Sequence, residues 1–284
     1  MTVILDCGGR PLDLRRPQIM GVLNITPDSF SDGGRLYADG VDLDAVLLVA
    51  SGMIESGAAV LDVGGESTRP GADPVPEQEE LDRVLPVVEV LARETGAVIS
   101  VDTSTPRVMR EAAAAGASML NDVRALTRPG ALEVAAEVDL PVCLMHMQGS
   151  PRTMQTAPHY ANVIKEVRAY LLARRTACED AGISAERILF DPGFGFGKSL
   201  EHNLALLAHL SELTVLGSPL LVGLSRKSLI AKLTGRAVDE RLPGSLALAM
   251  LAAQRGAALL RVHDVSETAD VLRILEAVEG ADNS

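Results

Sequence analysis

The chain has 284 residues and a formal net charge of −12, from 26 basic and 38 acidic residues. So acidic a chain is not expected to bind nucleic acid non-specifically or to attach to an anionic membrane surface, and any anionic ligand must be held by a few local cations. Hydrophobic residues make up 47% of the sequence but aromatic residues only 2%, so we expect a large core of aliphatic side chains.

Cysteine usage and hydropathy bear on the cellular compartment. The three cysteines, Cys7, Cys143 and Cys178, lie far apart and form no CxxC pair. This argues against a zinc site or a disulfide framework and favours reduced thiols. The sequence shows neither a signal-peptide apolar segment nor an apolar run of membrane-spanning length. We therefore expect a soluble, cytoplasmic protein.

Short apolar runs alternate with amphipathic stretches along the chain. A leading segment at about residues 2–16, with Gly8-Gly9 in its middle, is predicted to form a β-hairpin. The apolar runs that predict strands are Ile19–Ile25, Val60–Gly64, Val98–Thr103, Met119–Val123, Pro141–Met147, Ile188–Asp191, Pro219–Ser225 and Leu259–His263. The stretches that predict helices are Asp42–Glu55, Glu77–Glu94, Thr105–Gly116, Ala131–Val138, Tyr160–Ala181, Ser199–Leu210, Leu229–Leu233, Gly244–Gln254 and Ser266–Val278.

This alternation predicts parallel strands joined by crossover helices. Eight β/α units in order indicate an α/β fold of the (β/α)8, or TIM-barrel, type with an N-terminal β-hairpin. We expect one domain over residues 1–284, with the barrel at about residues 18–279. A doubly wound sheet usually carries a Gly-rich dinucleotide motif after its first strand. The segment Asn24-Ile25-Thr26-Pro27-Asp28 is not such a motif, so the barrel is favoured.

Nearly every predicted strand ends on a polar or charged residue. These residues are Asn24, Glu66 to Arg69, Asp102, Asn121, His146, Asp191, Ser225 to Ser228, Arg261 and His263. One or two of them would be ordinary caps, but a series along all eight strands predicts an active site, because active sites of such barrels lie at the carboxyl ends of the strands. His146 has a second interpretation as a core histidine. Asp62, inside its strand, is interpreted as a structural hydrogen-bonding residue.

Strand periodicity refines this set, since neighbouring residues point to opposite faces. Arg261 and His263 are two positions apart, so both can point into the barrel mouth. Asn121 and Asp122 are adjacent, so only one of them is expected to do so.

Two further segments favour a small-molecule site. The loop Asp191–Lys198 has glycine at alternate positions, which permits close approach of a flat ligand, although a flexible turn is the alternative. Ser228 lies near the start of a predicted helix behind Arg226 and Lys227, which suits an anion, although a plain N-cap serine is the alternative. Together with the carboxylates of Asp102 and Asp191, these features suggest an amide- or guanidine-like heterocycle joined to phosphates.

Eight segments carry a resemblance to a known family. They are MGVLNITPDSFSDGG (residues 20–34), DVGGESTRPG (62–71), VDT (101–103), NDV (121–123), MHM (145–147), DPGFGF (191–196), GLSRKS (223–228) and RVHD (261–264). From about Ile19 to the C-terminal helix the sequence resembles the dihydropteroate synthase family of pterin-binding TIM barrels. The resemblance implies a transferase that condenses (7,8-dihydropterin-6-yl)methyl diphosphate with 4-aminobenzoate in folate biosynthesis, and a target of sulfonamides.

The resemblance also implies residue roles. Asp102, Asn121, Asp191 and Lys227 would hold the pterin ring. Asn24, Arg261 and His263 would hold the pyrophosphate, with Mg²⁺ bridging it to Asn24. Thr68 and Arg69 would lie on a mobile loop that closes over the substrates together with residues 26–34. Ser228 would bind the aminobenzoate carboxylate, and Phe196 and Pro70 would flank its ring. The expected catalytic residues among these are Asn24, Asp102, Lys227, Arg261 and His263.

The implied chemistry places the difficulty in breaking the CH₂–O bond. An arylamine is already a neutral nucleophile at pH 7, so we expect a dissociative displacement in which Mg²⁺, Arg261 and His263 stabilise the leaving pyrophosphate. Loss of Arg261 is therefore expected to reduce turnover far more than binding of a pterin that lacks pyrophosphate. Ser104 and Arg124 depart from residues common in the family and are expected to affect loop shape only.

Two alternative functions are compatible with the same barrel. A pterin-binding methyltransferase shares the barrel but binds no pyrophosphate, and the clusters Ser225 to Lys227 and Arg261 to His263 argue against it. A non-catalytic paralogue is the other alternative.

A homodimer is expected, because the helix Gly244–Gln254 has no charged residue to face water and because the resemblance implies dimers.

Overall fold

The computed structural model describes residues 4–26, 36, 40–67, 71–150 and 152–282. Its first two strands, β1 (Ile4–Cys7) and β2 (Arg10–Asp13), form an antiparallel hairpin across Gly8-Gly9. Both turn glycines have positive φ, 61° and 84°, which a residue with a side chain rarely adopts. Leu5, Cys7 and Leu12 of this hairpin are buried and belong to the same apolar cluster as residues inside the barrel. The predicted hairpin therefore covers one end of the barrel.

Eight parallel strands form a closed barrel in chain order, and the last strand pairs with the first. They are β3 (Gln18–Asn24), β4 (Ala58–Gly64), β5 (Val98–Asp102), β6 (Met119–Asp122), β7 (Val142–Met145), β8 (Ile188–Asp191), β9 (Leu220–Val222) and β10 (Ala257–Val262). The predicted TIM barrel is confirmed.

Helices connect the strands on the outside. They are α1 (Leu43–Glu55), α2 (Glu77–Glu94), α3 (Pro106–Ala114), α4 (Ala131–Val138), α5 (Val163–Asp180), α6 (Leu200–Ala208), α7 (Ser211–Thr214), α8 (Ser228–Thr234), α9 (Leu242–Gln254) and α10 (Val265–Asp282). Local signals set their ends: the Asp42 side chain accepts a hydrogen bond from the Ala45 N–H at 3.0 Å, and α1 stops before Gly57 at φ 111°. The single turn α7 was not predicted, because one helical turn has no apolar periodicity.

Two layers of side chains fill the barrel interior. The lower layer is apolar and packs on the hairpin; its strand residues are Met20, Val60, Val98, Met119, Cys143, Leu189, Leu221 and Leu259. Two or four residues further along the same strands, on the same face, stand Asn24, Asp62, Asp102, Asn121, Asp191 and Arg261. The interior therefore changes from apolar to charged toward the carboxyl ends of the strands.

The outer faces of the strands and the helices enclose a second, larger aliphatic cluster. It includes leucine, valine and isoleucine side chains from β3 to β10, and its buried aromatic members are Tyr160, Phe190 and Phe194. Within the described residues, no helix combines the length and hydropathy needed to cross a membrane.

Candidate active site

A cavity of about 610 Å³ lies at the carboxyl ends of the strands, within the range usual for small-molecule sites. Every barrel strand, or the loop that follows it, contributes to the lining. The predicted site residues found in it are Asn24, Asp102, Asn121, Asp191, Phe196, Lys227, Ser228, Arg261 and His263. Thr68, Arg69 and Pro70, together with residues 27–35 and 37–39, lie outside the described residues, so their expected roles remain predictions.

Arg261 forms the electrostatic centre of the cavity. Its Nε donates to Asp62 Oδ2 at 2.6 Å, and its Nη2 donates to Asp102 Oδ2 at 2.9 Å. Asn121 Nδ2 also donates to Asp62 Oδ2, at 3.2 Å. Burial opposes the charge of Arg261, but Asp62 and Asp102 outweigh it and raise the pKa of the guanidinium. These contacts tie together side chains from four strands.

Asp62 bonds two residues of the cavity, which its interpretation from the sequence as a structural residue did not indicate. Its interpretation as a hydrogen-bonding residue agrees with its contacts, but both partners are predicted substrate-binding residues. It is fully buried, and its second oxygen, Oδ1, has no hydrogen-bond partner within the described residues. The alternation Val60, Asp62, Gly64 was the signal that placed it on the interior face.

The two predicted ring carboxylates are both buried. Burial raises the pKa of Asp102 well above its ordinary value; Arg261 opposes this shift, and the nearby Asp62 adds to it. Burial also raises the pKa of Asp191, opposed mainly by Lys227. Asp191 Oδ1 accepts the backbone N–H of Gly193 at 2.7 Å. Two desolvated carboxylates in one cavity gain most from a ligand that supplies N–H donors.

Lys227 lines the cavity beside the Gly-rich loop. Its ammonium donates to the backbone carbonyl of Phe194 and lies 4.8 Å from the centre of the Phe196 ring. Burial lowers the pKa of Lys227 to about 8, with Asp191 opposing the shift and Arg261 adding to it. The lysine therefore contacts the Gly-rich loop and faces the Asp191 carboxylate.

The Gly-rich loop after β8 is tightly packed, which does not favour the interpretation as a flexible turn. Gly193, Gly195 and Gly197 have φ of 70°, 81° and 61°. A Cβ on Gly193 would lie 1.9 Å from the carbonyl oxygen of His146, and one on Gly197 would lie 2.4 Å from that of Gln148. Glycine is required here because the loop backbone lies directly on the segment after β7.

Lys198 and His146 form a buried pair beneath this loop. Lys198 Nζ lies 2.9 Å from His146 Nδ1, and the two residues are 1% and 5% exposed. Burial and the neighbouring Lys198 lower the pKa of His146 to about 3. Burial lowers the pKa of Lys198 to about 7, opposed by Asp191 and assisted by Lys227. His146 does not line the cavity and matches its core interpretation, while Lys198 was not singled out from the sequence.

The residues predicted to bind anions gather on the side of β9 and β10. His263 Nδ1 lies 3.0 Å from Ser225 Oγ, which also accepts the backbone N–H of His263. Arg226 is held away from this pair by Asp264, to which its Nε donates at 3.1 Å. Ser228 is exposed and is the first residue of α8, so its backbone N–H points out of the helix start.

The loops after β4, β5 and β6 are cross-linked by the two residues noted as departures. Arg124 Nη1 donates to Glu66 Oε2 at 3.2 Å and to Ser104 Oγ at 3.0 Å. Asp122 points outward and accepts the Arg124 N–H at 2.8 Å, while Asn121 points inward. The prediction that only one of this adjacent pair enters the mouth is confirmed.

The geometry now defines a class of protein. Buried acceptors on Asp102 and Asp191 suit a flat heterocycle with N–H donors, and the groups at Lys227, Arg261 and His263 suit an adjoining anion. The fold and the site together are those of a (β/α)8-barrel enzyme for a small nitrogen heterocycle carrying negative charge.

Comparison with known proteins gives the family. The family model described as pterin binding enzyme matches residues 20–263. The dihydropteroate synthase of Escherichia coli is 55% identical over 273 residues, 96% of this chain and 95% of that protein. The dihydropteroate synthase of Haemophilus influenzae is 53% identical over 98% of this chain and 99% of that protein.

Solved structures agree with these relatives. The Yersinia pestis dihydropteroate synthase in a sulfonamide drug complex superposes with a TM-score of 0.94, at 52% identity over 98% of this chain and 99% of that chain. The Xanthomonas albilineans dihydropteroate synthase with 4-aminobenzoic acid gives 0.91 at 53% identity, with the same coverage. The chain belongs to the pterin-binding enzyme family, on its dihydropteroate synthase branch. The resemblance seen in the sequence is confirmed.

Proposed function

We propose that this chain condenses (7,8-dihydropterin-6-yl)methyl diphosphate with 4-aminobenzoate to give 7,8-dihydropteroate and pyrophosphate. The observation that supports this most directly is the meeting of two buried carboxylates, Asp102 and Asp191, with the basic groups of Lys227, Arg261 and His263 in one cavity. The Xanthomonas albilineans relatives, solved with 4-aminobenzoic acid and with 7,8-dihydropteroate, support the same reaction.

In this proposal the pterin ring lies across the cavity between the two carboxylates. Asp191, and Asp102 on the opposite side, accept ring and amino N–H groups, and Asn121 and Lys227 bind the remaining polar edge. Burial raises the pKa of both carboxyl groups because it removes their hydration. The N–H donors of the ring supply hydrogen bonds that replace this hydration, so these groups favour binding of the ring.

Pyrophosphate departs toward Arg261 and His263. Nε and Nη2 of Arg261 donate hydrogen bonds to Asp62 and Asp102, and Nη1 is proposed to bind the diphosphate. As the CH₂–O bond lengthens, the electron pair moves to the phosphate oxygen, where these groups stabilise it. Positive charge develops on the methylene carbon and the pterin ring, where the carboxylates of Asp102 and Asp191 favour it. The displacement is therefore proposed to be dissociative.

The nucleophile occupies the outer part of the cavity. The aminobenzoate carboxylate is proposed to bind at Ser228, where α8 begins, and its ring to lie beside Phe196. Its amine nitrogen attacks the methylene carbon and then loses a proton to solvent or to the departing pyrophosphate. No strong base is needed, because the arylamine is already neutral.

A magnesium ion fits this site as a companion of the diphosphate. Among the described residues, no group of three or more His, Cys, Asp and Glu side chains could hold a metal ion. Asn24 offers one neutral oxygen in the cavity, and Mg²⁺ commonly combines one or two protein oxygens with substrate phosphates and water. Asn24 would hold Mg²⁺, which when bound neutralises charge on the leaving group.

A homodimer is proposed from the outer face of α9. Pro243, Ala247, Met250 and Gln254 are exposed at helical spacing, so this face carries no charge. On the adjacent α10, Ile274 and Val278 are 64% and 60% exposed. A second copy of the same surface would cover both helices. Ala249 is not part of this surface, since it is only 5% exposed and packs inside its own chain.

The cytoplasm is the proposed compartment. Cys7, Cys143 and Cys178 are free and buried, and burial raises the pKa of each thiol. Unpaired thiols of this kind suit a reducing environment.

Pyrophosphate release measured with both substrates and Mg²⁺ tests the proposed activity, with identification of the pteroate product. Turnover that requires both substrates and is lost with a metal chelator supports the proposal. Tight pterin binding without turnover would indicate a non-catalytic paralogue. Methyl transfer from a methylated pterin in place of condensation would indicate the methyltransferase alternative.

A further inference from the structure

The loop from Gly193 to Gly197 has no regular secondary structure, yet side chains hold its whole backbone. Each of its five successive carbonyl oxygens accepts a hydrogen bond from a side chain. The donors in loop order are Lys198, Lys227, Gln155, Lys198 again and Tyr160. The Gly195 N–H also donates to Asn203 Oδ1 at 2.7 Å. The loop is therefore fixed by side chains in place of a helix or strand ladder.

Lys198 makes the largest contribution to this arrangement. Its Nζ donates to the carbonyls of Gly193 at 2.9 Å and Phe196 at 3.1 Å, and it bonds His146 Nδ1 at 2.9 Å. The His146 carbonyl oxygen is a fourth, more distant acceptor at 3.4 Å; an ammonium has three N–H groups, and the three shorter contacts account for them. The pKa of His146, lowered to about 3, keeps the ring neutral, so Nδ1 accepts and the ring proton resides on Nε2.

The loop held by Lys198 contacts Lys227, which is proposed to bind the pterin, and carries Phe196, which is proposed to lie beside the aminobenzoate ring. Phe194 supplies the carbonyl that binds Lys227, and Phe196 supplies the ring beside that same ammonium. Asp191 precedes the loop and is anchored in β8 by strand pairing, so its position depends less on the loop. Phe196 lies five residues further on, and the loop carbonyl bonds hold its backbone.

We infer that Lys198 is a positioning residue of the condensation: its buried ammonium ties the Gly193–Gly197 loop to His146 and so sets the Phe196 ring beside the aminobenzoate. This inference rests on the proposed function. Lys198 does not line the cavity and touches no substrate in this arrangement. Its effect passes through the loop backbone.

Steady-state kinetics of Lys198→Met test the inference, because methionine keeps the length of the side chain and removes the ammonium. We expect the KM for aminobenzoate to rise about tenfold or more, as the loss of hydrogen bonds from a charged donor implies. The KM for the pterin diphosphate should change far less. A general loss of folded protein would lower kcat and leave both KM values unchanged. The matched control is Lys165→Met, which removes an exposed ammonium on α5.

Chemical rescue separates the role of the ammonium from packing. Lys198→Ala removes three methylene carbons and the nitrogen, which n-propylammonium replaces, whereas n-propanol supplies a similar volume with one donor. Added n-propylamine should lower the aminobenzoate KM of this variant, and n-propanol should do so less. If n-propylamine lowers the aminobenzoate KM no more than n-propanol does, Lys198 acts by packing alone and the inference is overturned.

The outcomes distinguish this inference from the proposed function. If the wild type shows no condensation, the proposed function fails. If the wild type is active and Lys198→Met, folded by circular dichroism, keeps the wild-type aminobenzoate KM, the inference is wrong. Should Lys198→Met not fold, His146→Phe decides, because it removes the Nδ1 acceptor and keeps a ring against Tyr170. An unchanged aminobenzoate KM in His146→Phe would overturn the inference.

Discussion

Individual charges in the cavity lie near charges of opposite sign. Arg261 forms ion pairs with Asp62 and Asp102, and Lys227 interacts with Asp191 electrostatically without a direct ion pair, so a chain with a net charge of −12 still presents cations to an anionic substrate. Because these groups are desolvated, removing one partner leaves the other charge buried and uncompensated. Substitutions at these residues therefore have effects beyond the loss of a single contact.

Asp191→Asn is expected to weaken pterin binding about tenfold or more and to preserve the fold. The amide oxygen of asparagine can still accept the Gly193 N–H, and burial raises the pKa of Asp191, so loss of its charge is not expected to destabilise the fold. The loss comes from the charge-assisted contact to the ring. Calorimetric titration with a pterin checks this, with Asp270→Asn on the surface as control. Near wild-type affinity would remove Asp191 from the ring site.

Arg261→Ala is expected to reduce turnover about 100- to 1000-fold, the usual effect of removing one group that stabilises developing charge. The structure changes the expectation for binding, because Arg261 also bonds the carboxylates of Asp62 and Asp102. A pterin without diphosphate should therefore bind more weakly as well. Comparison of kcat with the affinity for that pterin checks both effects. A variant with unchanged kcat would show that Arg261 does not assist the leaving group.

The buried His146 should make the protein less stable in acid. Its pKa is about 3 in the folded chain and about 6.5 when unfolded, so between these values the unfolded state binds the extra proton. Stability from this group is complete above pH 6.5 and is lost as the pH falls toward 3, by up to about 1.4 kcal/mol per pH unit. Denaturant unfolding across this range should show a shallower pH dependence for His146→Phe. Equal slopes would indicate that His146 is protonated when folded.

At the scale of elements, the two ends of each barrel strand have different roles. The first residues on its inner face pack on the N-terminal hairpin, and the last ones carry the site. The loops that follow are fixed by side chains from neighbouring units, as Arg124 binds Glu66 and Lys198 binds His146. The site geometry thus depends on contacts between successive β/α units.

Gly193→Ala tests the close packing of the Gly-rich loop. The new Cβ would meet the His146 carbonyl at 1.9 Å, and the φ of 70° is itself strained for alanine, so we expect a stability loss of about 1–3 kcal/mol or more. Gly182→Ala is the matched control, since Gly182 has φ 91° and open space around its Cβ position. Denaturant unfolding should show the larger loss for Gly193→Ala. Equal losses would mean that only the backbone angle matters.

For the whole molecule, the proposed dimer makes a separate prediction. Ala247→Arg places a charge on the exposed apolar face of α9 in both copies, so like charges would meet across a two-fold interface. Light scattering should give about twice the chain mass of 29.9 kDa for the wild type and a shift toward monomer for the variant. Ala114→Arg is the control, because Ala114 is an exposed alanine on α3, which lies between β5 and β6 and not beside α9 or α10. A wild-type monomer at micromolar concentration would refute the proposed dimer.

The sequence by itself determined the barrel, the order of its strands and the residues at their carboxyl ends. Strand alternation also predicted that only one of Asn121 and Asp122 enters the mouth, and the structure shows that it is Asn121. These features depend on local periodicity and on the rule that parallel strands end at the same edge, so neighbours along the chain suffice to predict them. The pterin, pyrophosphate and aminobenzoate roles came from the resemblance to a family.

Only the tertiary structure decided which of these residues bond one another. Asp62 and Arg261 are 199 positions apart and meet at 2.6 Å, and Lys198 reaches back 52 positions to His146. The Gly-rich segment packs closely on the segment after β7, and Ala249 of α9 is buried inside its own chain. The physical reason is that hydrogen bonds and burial depend on distance in space, and closing the barrel brings together side chains that no sequence spacing relates.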